Sequence, residues 1–145
     1  MTTQTRSIAL AVVVLAMGAA DARADIVHYQ AQLRGVAHSP PTTSPARGEL
    51  VAVLDTERHA FEYTVTYKNL SGPVVLAGFK EPTSPPSDPI VTAPSDATAK
   101  TLHAVVTLTP EQVRDLNAGH WIFDIATSAN PGGEIRGTVQ RTSIY

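Results

Sequence analysis

Cysteine is absent from the 145 residues. No disulfide can staple the fold, no thiol can act as nucleophile or metal ligand, and no lipid-modified cysteine can tether the chain. Basic runs are absent too. The 11 Lys and Arg side chains are scattered among 13 Asp and Glu, for a net charge of −2. That pattern argues against nucleic acid or anionic lipid as a partner. No apolar run is long enough to cross a bilayer. The longest, residues 8–20, holds thirteen residues, against the roughly 20 a spanning helix needs. Nor is there an alternation of strands with long helices, which excludes a parallel α/β sheet. A Gly-x-Ser-x-Gly elbow and a glycine-rich phosphate loop are missing as well.

The thirteen-residue run follows Arg6 and precedes Ala22-Arg23-Ala24. A cation, a short apolar core and a small-x-small site in that order predict a signal peptide over residues 1–24. The domain then occupies residues 25–145, and the location is secreted or periplasmic. No stable membrane insertion is expected after cleavage. Removal takes away Arg6, Arg23 and Asp21 and moves the net charge to −3.

What is present is period-two alternation. Val27, Tyr29, Ala31 and Leu33 alternate with His28, Gln30, Gln32 and Arg34. Leu50, Ala52 and Leu54 alternate with Glu49, Val51 and Val53. Phe61, Tyr63, Val65 and Tyr67 alternate with Glu62, Thr64, Thr66 and Lys68. Side chains alternate across a strand, so each segment reads as a strand with one wet face. Polar residues 55–59 join the last two as a hairpin. Residues 74–79, 102–108, 121–125 and 135–139 add further strands. Phe61, Tyr63, Val65, Leu50, Leu54, Ile125 and Ile135 form the expected core. Prolines at 40, 41 and 45, and again at 82, 85, 86, 89 and 94, exclude two stretches from central strands, with Ile90 and Val91 forming at most an edge strand.

One helix is encoded. Thr109 takes the N-cap, Pro110 the first position and Gln112 the third, a capping box. Val113 and Leu116 face the sheet, and Gly119 closes the helix. Seven or eight short strands with turns between them predict an all-β, antiparallel Greek-key β-sandwich with one short helix.

Three segments carry a resemblance. Gly48-Glu49-Leu50 opens a strand ending at Leu54-Asp55. Phe61-Glu62-Tyr63-Thr64-Val65-Thr66-Tyr67 leads to Leu70-Ser71-Gly72-Pro73. Asn130-Pro131-Gly132-Gly133-Glu134-Ile135-Arg136-Gly137 is the most specific. Together they resemble the chordin (CHRD) domain. The resemblance implies an extracellular module with an immunoglobulin-like or Cu,Zn superoxide dismutase-like sandwich. It also implies a histidine set able to converge on a metal. Here Gly78, Lys80 and Ala126 stand at those three positions. They are expected to cluster as a patch without ligands, with Lys80 in solvent or near Glu81.

Chemistry is otherwise sparse. The five histidines, 28, 38, 59, 103 and 120, show no metal-ligand spacing. Asp124 lies in an apolar strand and is expected to be part-buried and paired with an arginine. In the octapeptide, Pro131-Gly132 suggests a type II turn with Gly132 at positive φ. Glu134 and Arg136 share a wet face, with Ile135 turned inward. Asn130, Glu134, Arg136, Lys80 and Glu81 form the candidate recognition surface. No catalytic residue, metal or cofactor is assigned. The function expected is an exported, non-catalytic binding or structural module whose partner is an extracytoplasmic protein or glycan. The alternatives are a metal-binding or superoxide-dismutase-like oxidoreductase and a carbohydrate-binding sandwich.

Overall fold

The computed structural model describes residues 25–35, 42–81, 91–92 and 100–143. The expected signal peptide, His38, Ile90 and most of both proline-rich loops lie outside the described residues. In chain order the elements are β1 (Ile26–Arg34), β2 (Arg47–Asp55), β3 (Ala60–Lys68), β4 (Val74–Lys80), β5 (Val91–Thr92), β6 (Thr101–Thr107), α1 (Pro110–Asn117), β7 (Ile122–Thr127), β8 (Ile135–Thr138) and β9 (Gln140–Thr142). Every strand pairing is antiparallel.

The strands form one sheet in the order β5-β4-β7-β8-β1-β2-β3-β6, with β9 also paired to β1. Two separate sheets were expected; the hydrogen-bonded path is instead continuous and curled. The curl is visible in the aromatic core. Strands β4 and β3 hold the second and seventh places in the sheet, about 24 Å apart if the sheet were flat at its usual spacing. Yet the Phe79 and Phe61 rings lie 5.4 Å apart. Phe61 also meets Tyr29, Tyr63 and Trp121 at 5.9–6.2 Å. Phe79 stacks on Tyr63 and Phe123 at 4.9 Å. Edge-on geometry predominates, as the ring quadrupole favours.

The alternation reading holds for the core. Phe61, Tyr63, Val65, Leu50, Leu54, Ile125 and Ile135 are all buried together. On the opposite faces Val51, Val75 and Val105 stand about half exposed. The helix forms as its cap dictates. The Thr109 hydroxyl accepts from the Gln112 N–H at 3.1 Å, and the Gln112 side chain accepts from the Thr109 N–H at 2.9 Å. Leu116 is buried, Val113 packs on the core, and Gly119 closes the helix at φ 77°. The Tyr29 hydroxyl donates to Asn117 at 2.6 Å, which seats the helix end over the core.

Two local expectations change. The segment after Glu134 divides into β8 and β9 at Val139, whose N–H donates to the Trp121 carbonyl. In the 130–133 turn the Gly133 N–H donates to the Asn130 carbonyl at 3.0 Å, but the positive φ belongs to Gly133, at 123°, not to Gly132. A type II turn needs positive φ at its third residue, so this turn is of another type.

Candidate functional site

Two acids dominate the region that the octapeptide builds. The first is Glu134. It was expected on a wet face, but it is fully buried. Its place in the alternation is as expected. What covers it is chain distant in sequence. The Ser71 backbone N–H donates to both carboxylate oxygens at 3.0 and 3.1 Å. The hydroxyls of Ser44 and Thr127 donate at 3.1 and 3.0 Å, and the Asn130 amide at 2.8 Å. The Thr42 hydroxyl adds a bond to the Glu134 carbonyl at 2.8 Å. All four groups that donate to the carboxylate are neutral. Burial alone would raise this carboxyl group. The hydrogen bonds from Ser71, Asn130 and Thr127 outweigh it and hold the group below its ordinary range. Glu134 is therefore a knot that ties three loops, and it offers nothing to a surface ligand.

The second acid is Asp124, in the middle of β7. Its Oδ2 lies 2.7 Å from Arg136 Nη2 and 3.4 Å from Lys80 Nζ. The side chain of Asp124 is 1% exposed, those of Lys80 and Arg136 14% and 22%. The expected arginine partner is present, and Lys80 joins it instead of standing in solvent. The register explains why. Asp124 faces Arg136 of β8 on one side and Gly78 of β4 on the other. Residues directly opposite share a face, and Gly78 brings no side chain there. A carboxylate already held by two cations acts as a counter-ion and leaves one positive charge in excess.

Gly78, Lys80 and Ala126 share this face without forming a tight cluster. Gly78 is opposite Asp124, Lys80 opposite Ile122 and Ala126 opposite Leu76. Lys80 and Ala126 are thus separated by four residues along β7, about 13 Å at the rise of a strand. Gly and Ala offer no ligand atom, and Lys80 already faces an acid. These residues do not fit a metal. Among the described residues, no three His, Asp or Glu side chains come close enough to hold one. His28 and His103 lie on the outer face, as expected from alternation. His103 contacts Thr64 at 3.1 Å and Glu62 at 3.5 Å. Tyr29, Tyr63, Tyr67 and Trp121, the rings on which a carbohydrate-binding sandwich would stack sugars, are all turned inward.

The candidate recognition set therefore divides. Asn130 and Glu134 belong to the interior knot, whereas Lys80 and Arg136 meet at Asp124 on the outer face. Glu81 follows directly after β4 and is half-buried. Sequence reasoning placed Asp124 but did not foresee that Ser44 and Ser71 cover Glu134. The only local signal was that both sit in turn-forming stretches.

Close packing accounts for the rest of the motif. A Cβ added at Gly137 would lie 2.1 Å from the Gln32 carbonyl oxygen, so only glycine lets β8 approach β1 this closely. A Cβ at Gly72 would lie 2.6 Å from the Ser128 hydroxyl. The Ser128 N–H in turn donates to the Pro73 carbonyl at 3.0 Å. The Ser71-Gly72-Pro73 turn and the 127–134 loop are thus one packed unit. The CHRD domain family model matches residues 29–139, from within β1 to just past β8. The chain belongs to the CHRD domain family. No curated protein and no solved structure matches it. In this CHRD domain the Leu70-Ser71-Gly72-Pro73 segment and the octapeptide are partners, bonded to each other through Glu134.

Proposed function

We propose that this CHRD domain is an exported binding or structural module, without turnover, acting in the periplasm or outside the cell. Its partner is an extracytoplasmic protein or glycan. The scaffold is a Greek-key sandwich in which the curled sheet supplies both layers. Support for that scaffold comes from β3 and β4, consecutive in sequence and face to face through Phe61 and Phe79. The observation that carries the functional reading is the use made of the two buried acids, Glu134 and Asp124. Glu134 is consumed by four neutral donor groups in the interior, and Asp124 by two cations. A general acid or base must reach the proton it transfers, and neither group is open to a substrate. The residues at the family's histidine positions likewise bring no ligands.

The test is capture from the native envelope fraction by the purified chain, paired with elemental analysis of that chain. Specific capture of a protein or glycan with no stoichiometric metal is expected. Stoichiometric copper or zinc would favour the superoxide-dismutase-like oxidoreductase and overturn the reading. Export is checked separately by sequencing the N-terminus of the secreted protein. It should begin near Asp25, and a mature chain beginning at Met1 defeats that part.

A further inference from the structure

The cationic side chains are scattered in sequence, but the sheet register aligns four of them. Arg136 of β8 is opposite Arg34 of β1. Arg34 is opposite Arg47 of β2. Arg47 is opposite Lys68 of β3. Directly opposed residues share a face. The result is a straight row of four like charges across four strands, about 14 Å long at the usual strand spacing. Arg34, Arg47 and Lys68 are exposed. The row continues through Arg136 to Asp124, where Lys80 adds a fifth cation. From residue 25 onward the chain has only nine Lys and Arg, so five of them lie here.

Opposed like charges destabilise a sheet. Only at the Arg136 end of the row does a described carboxylate, that of Asp124, offset it. Among the described residues, no carboxylate is ion-paired with Arg34, Arg47 or Lys68. The Arg47 guanidinium donates to the Ala46 carbonyl at 2.8 Å, which fixes its direction without neutralising it. Arg47 and Lys68 also line an open groove of about 390 Å³, whose other walls include Gln32, Glu49 and Thr66.

We propose that this row is a binding strip for a linear anionic polysaccharide, one carrying carboxylates along its length. The proposal rests on the binding-module reading and names its ligand class. Charge complementarity supplies the attraction. The neutral amide of Gln32 and the hydroxyl of Thr66 beside the row supply hydrogen bonds that sugar hydroxyls can use. Nucleic acid fits less well. Bases bind single-strand grooves by stacking on aromatic rings, and the rings named above are turned into the core. The single acid in the groove, Glu49, is placed to disfavour densely charged chains.

The test uses polygalacturonate as probe, neutral dextran as control and a thymidine oligonucleotide as the competing polyanion. Affinity is measured by titration calorimetry on the mature chain between about 50 and 200 mM salt, the range over which counterion release is steep. Polygalacturonate should bind, dextran should not, and the oligonucleotide should bind at least tenfold more weakly. The triple variant Arg34→Gln, Arg47→Gln, Lys68→Gln should lose about 100-fold in affinity, with the salt slope falling by about 2 to 3. Its unfolding temperature should not fall, because repulsion is removed. Arg34→Lys with Arg47→Lys should keep most of the binding, and Arg58→Gln with Arg114→Gln should keep all of it. Unchanged binding by the triple variant, tighter binding of the oligonucleotide, or no binding of polygalacturonate at low salt each overturns the strip. A chain that ignores polygalacturonate yet captures an envelope protein loses the strip and keeps the module reading. Stoichiometric metal overturns the module reading whatever the row does.

Discussion

The Ser71 N–H and the Glu134 carboxylate are bonded across 63 residues of sequence, with both carboxylate oxygens accepting at 3.0–3.1 Å. Thr127, Asn130 and Ser44 complete the shell. The contact fixes where the β3–β4 connection meets the turn before β8. Beside it, Gly72 packs against Ser128. Arg136 itself is placed by the β8 ladders, opposite Asp124 of β7 and Arg34 of β1.

Glu134→Gln should cost about 2–3 kcal/mol near neutral pH, the scale of hydrogen bonds to a charged acceptor. The folded group is held below its ordinary range. Its contribution is therefore present above the unfolded value of about 4.3 and is lost as pH falls through the folded value. Thermal unfolding of both proteins across pH 2–7, a range spanning that value, should show the gap closing from about pH 4.3 downward. A gap independent of pH would show that the charge of Glu134 does not hold the knot.

Gly137→Ala should destabilise by about 3 kcal/mol or more, because the added methyl meets main chain and not a movable side chain. Denaturant unfolding reads this directly. Gly132→Ala is the matched control, since nothing lies within 4 Å of a Cβ there. Equal loss at both positions would show that turn flexibility, not close approach, sets the requirement.

Phe61→Ala should cost about 3–5 kcal/mol, since its ring bridges β1, β4 and the Trp121 segment. Tyr63→Phe should do the reverse. The Tyr63 hydroxyl is buried and has no hydrogen-bond partner among the described residues. Removing it should stabilise by about 1 kcal/mol. A loss of stability in Tyr63→Phe would mean that the hydroxyl is satisfied.

Asp124→Asn should cost about 2–4 kcal/mol, because it leaves Lys80 and Arg136 facing each other without a counter-ion. The cost stays below that of a fully dry pair, as both cations keep a route to water. Asp124→Asn combined with Arg136→Gln should recover part of the loss, and equilibrium unfolding of the two variants measures the coupling. No recovery would argue that Asp124 acts through another contact.

The sequence by itself determined which residues face inward. Alternation is a local property of strand geometry, so Phe61, Leu50, Leu54, Ile125 and Ile135 could be placed in the core without knowing any partner strand. The helix cap was equally local, because Thr109 and Gln112 satisfy each other within one turn. The buried acid in β7 was legible from its apolar neighbours. Only the tertiary structure decided the rest. Glu134 has the alternation of a surface residue, and it is interior because Ser44 and Ser71 fold over it. Arg34, Arg47, Lys68 and Arg136 lie far apart in the chain, and three registers bring them into one row. The continuity of the sheet, likewise, depends on β8 pairing with β1. Each of these is a long-range pairing. A strand's own pattern states which way its side chains point, but not which strand, or which loop, comes to lie beside them.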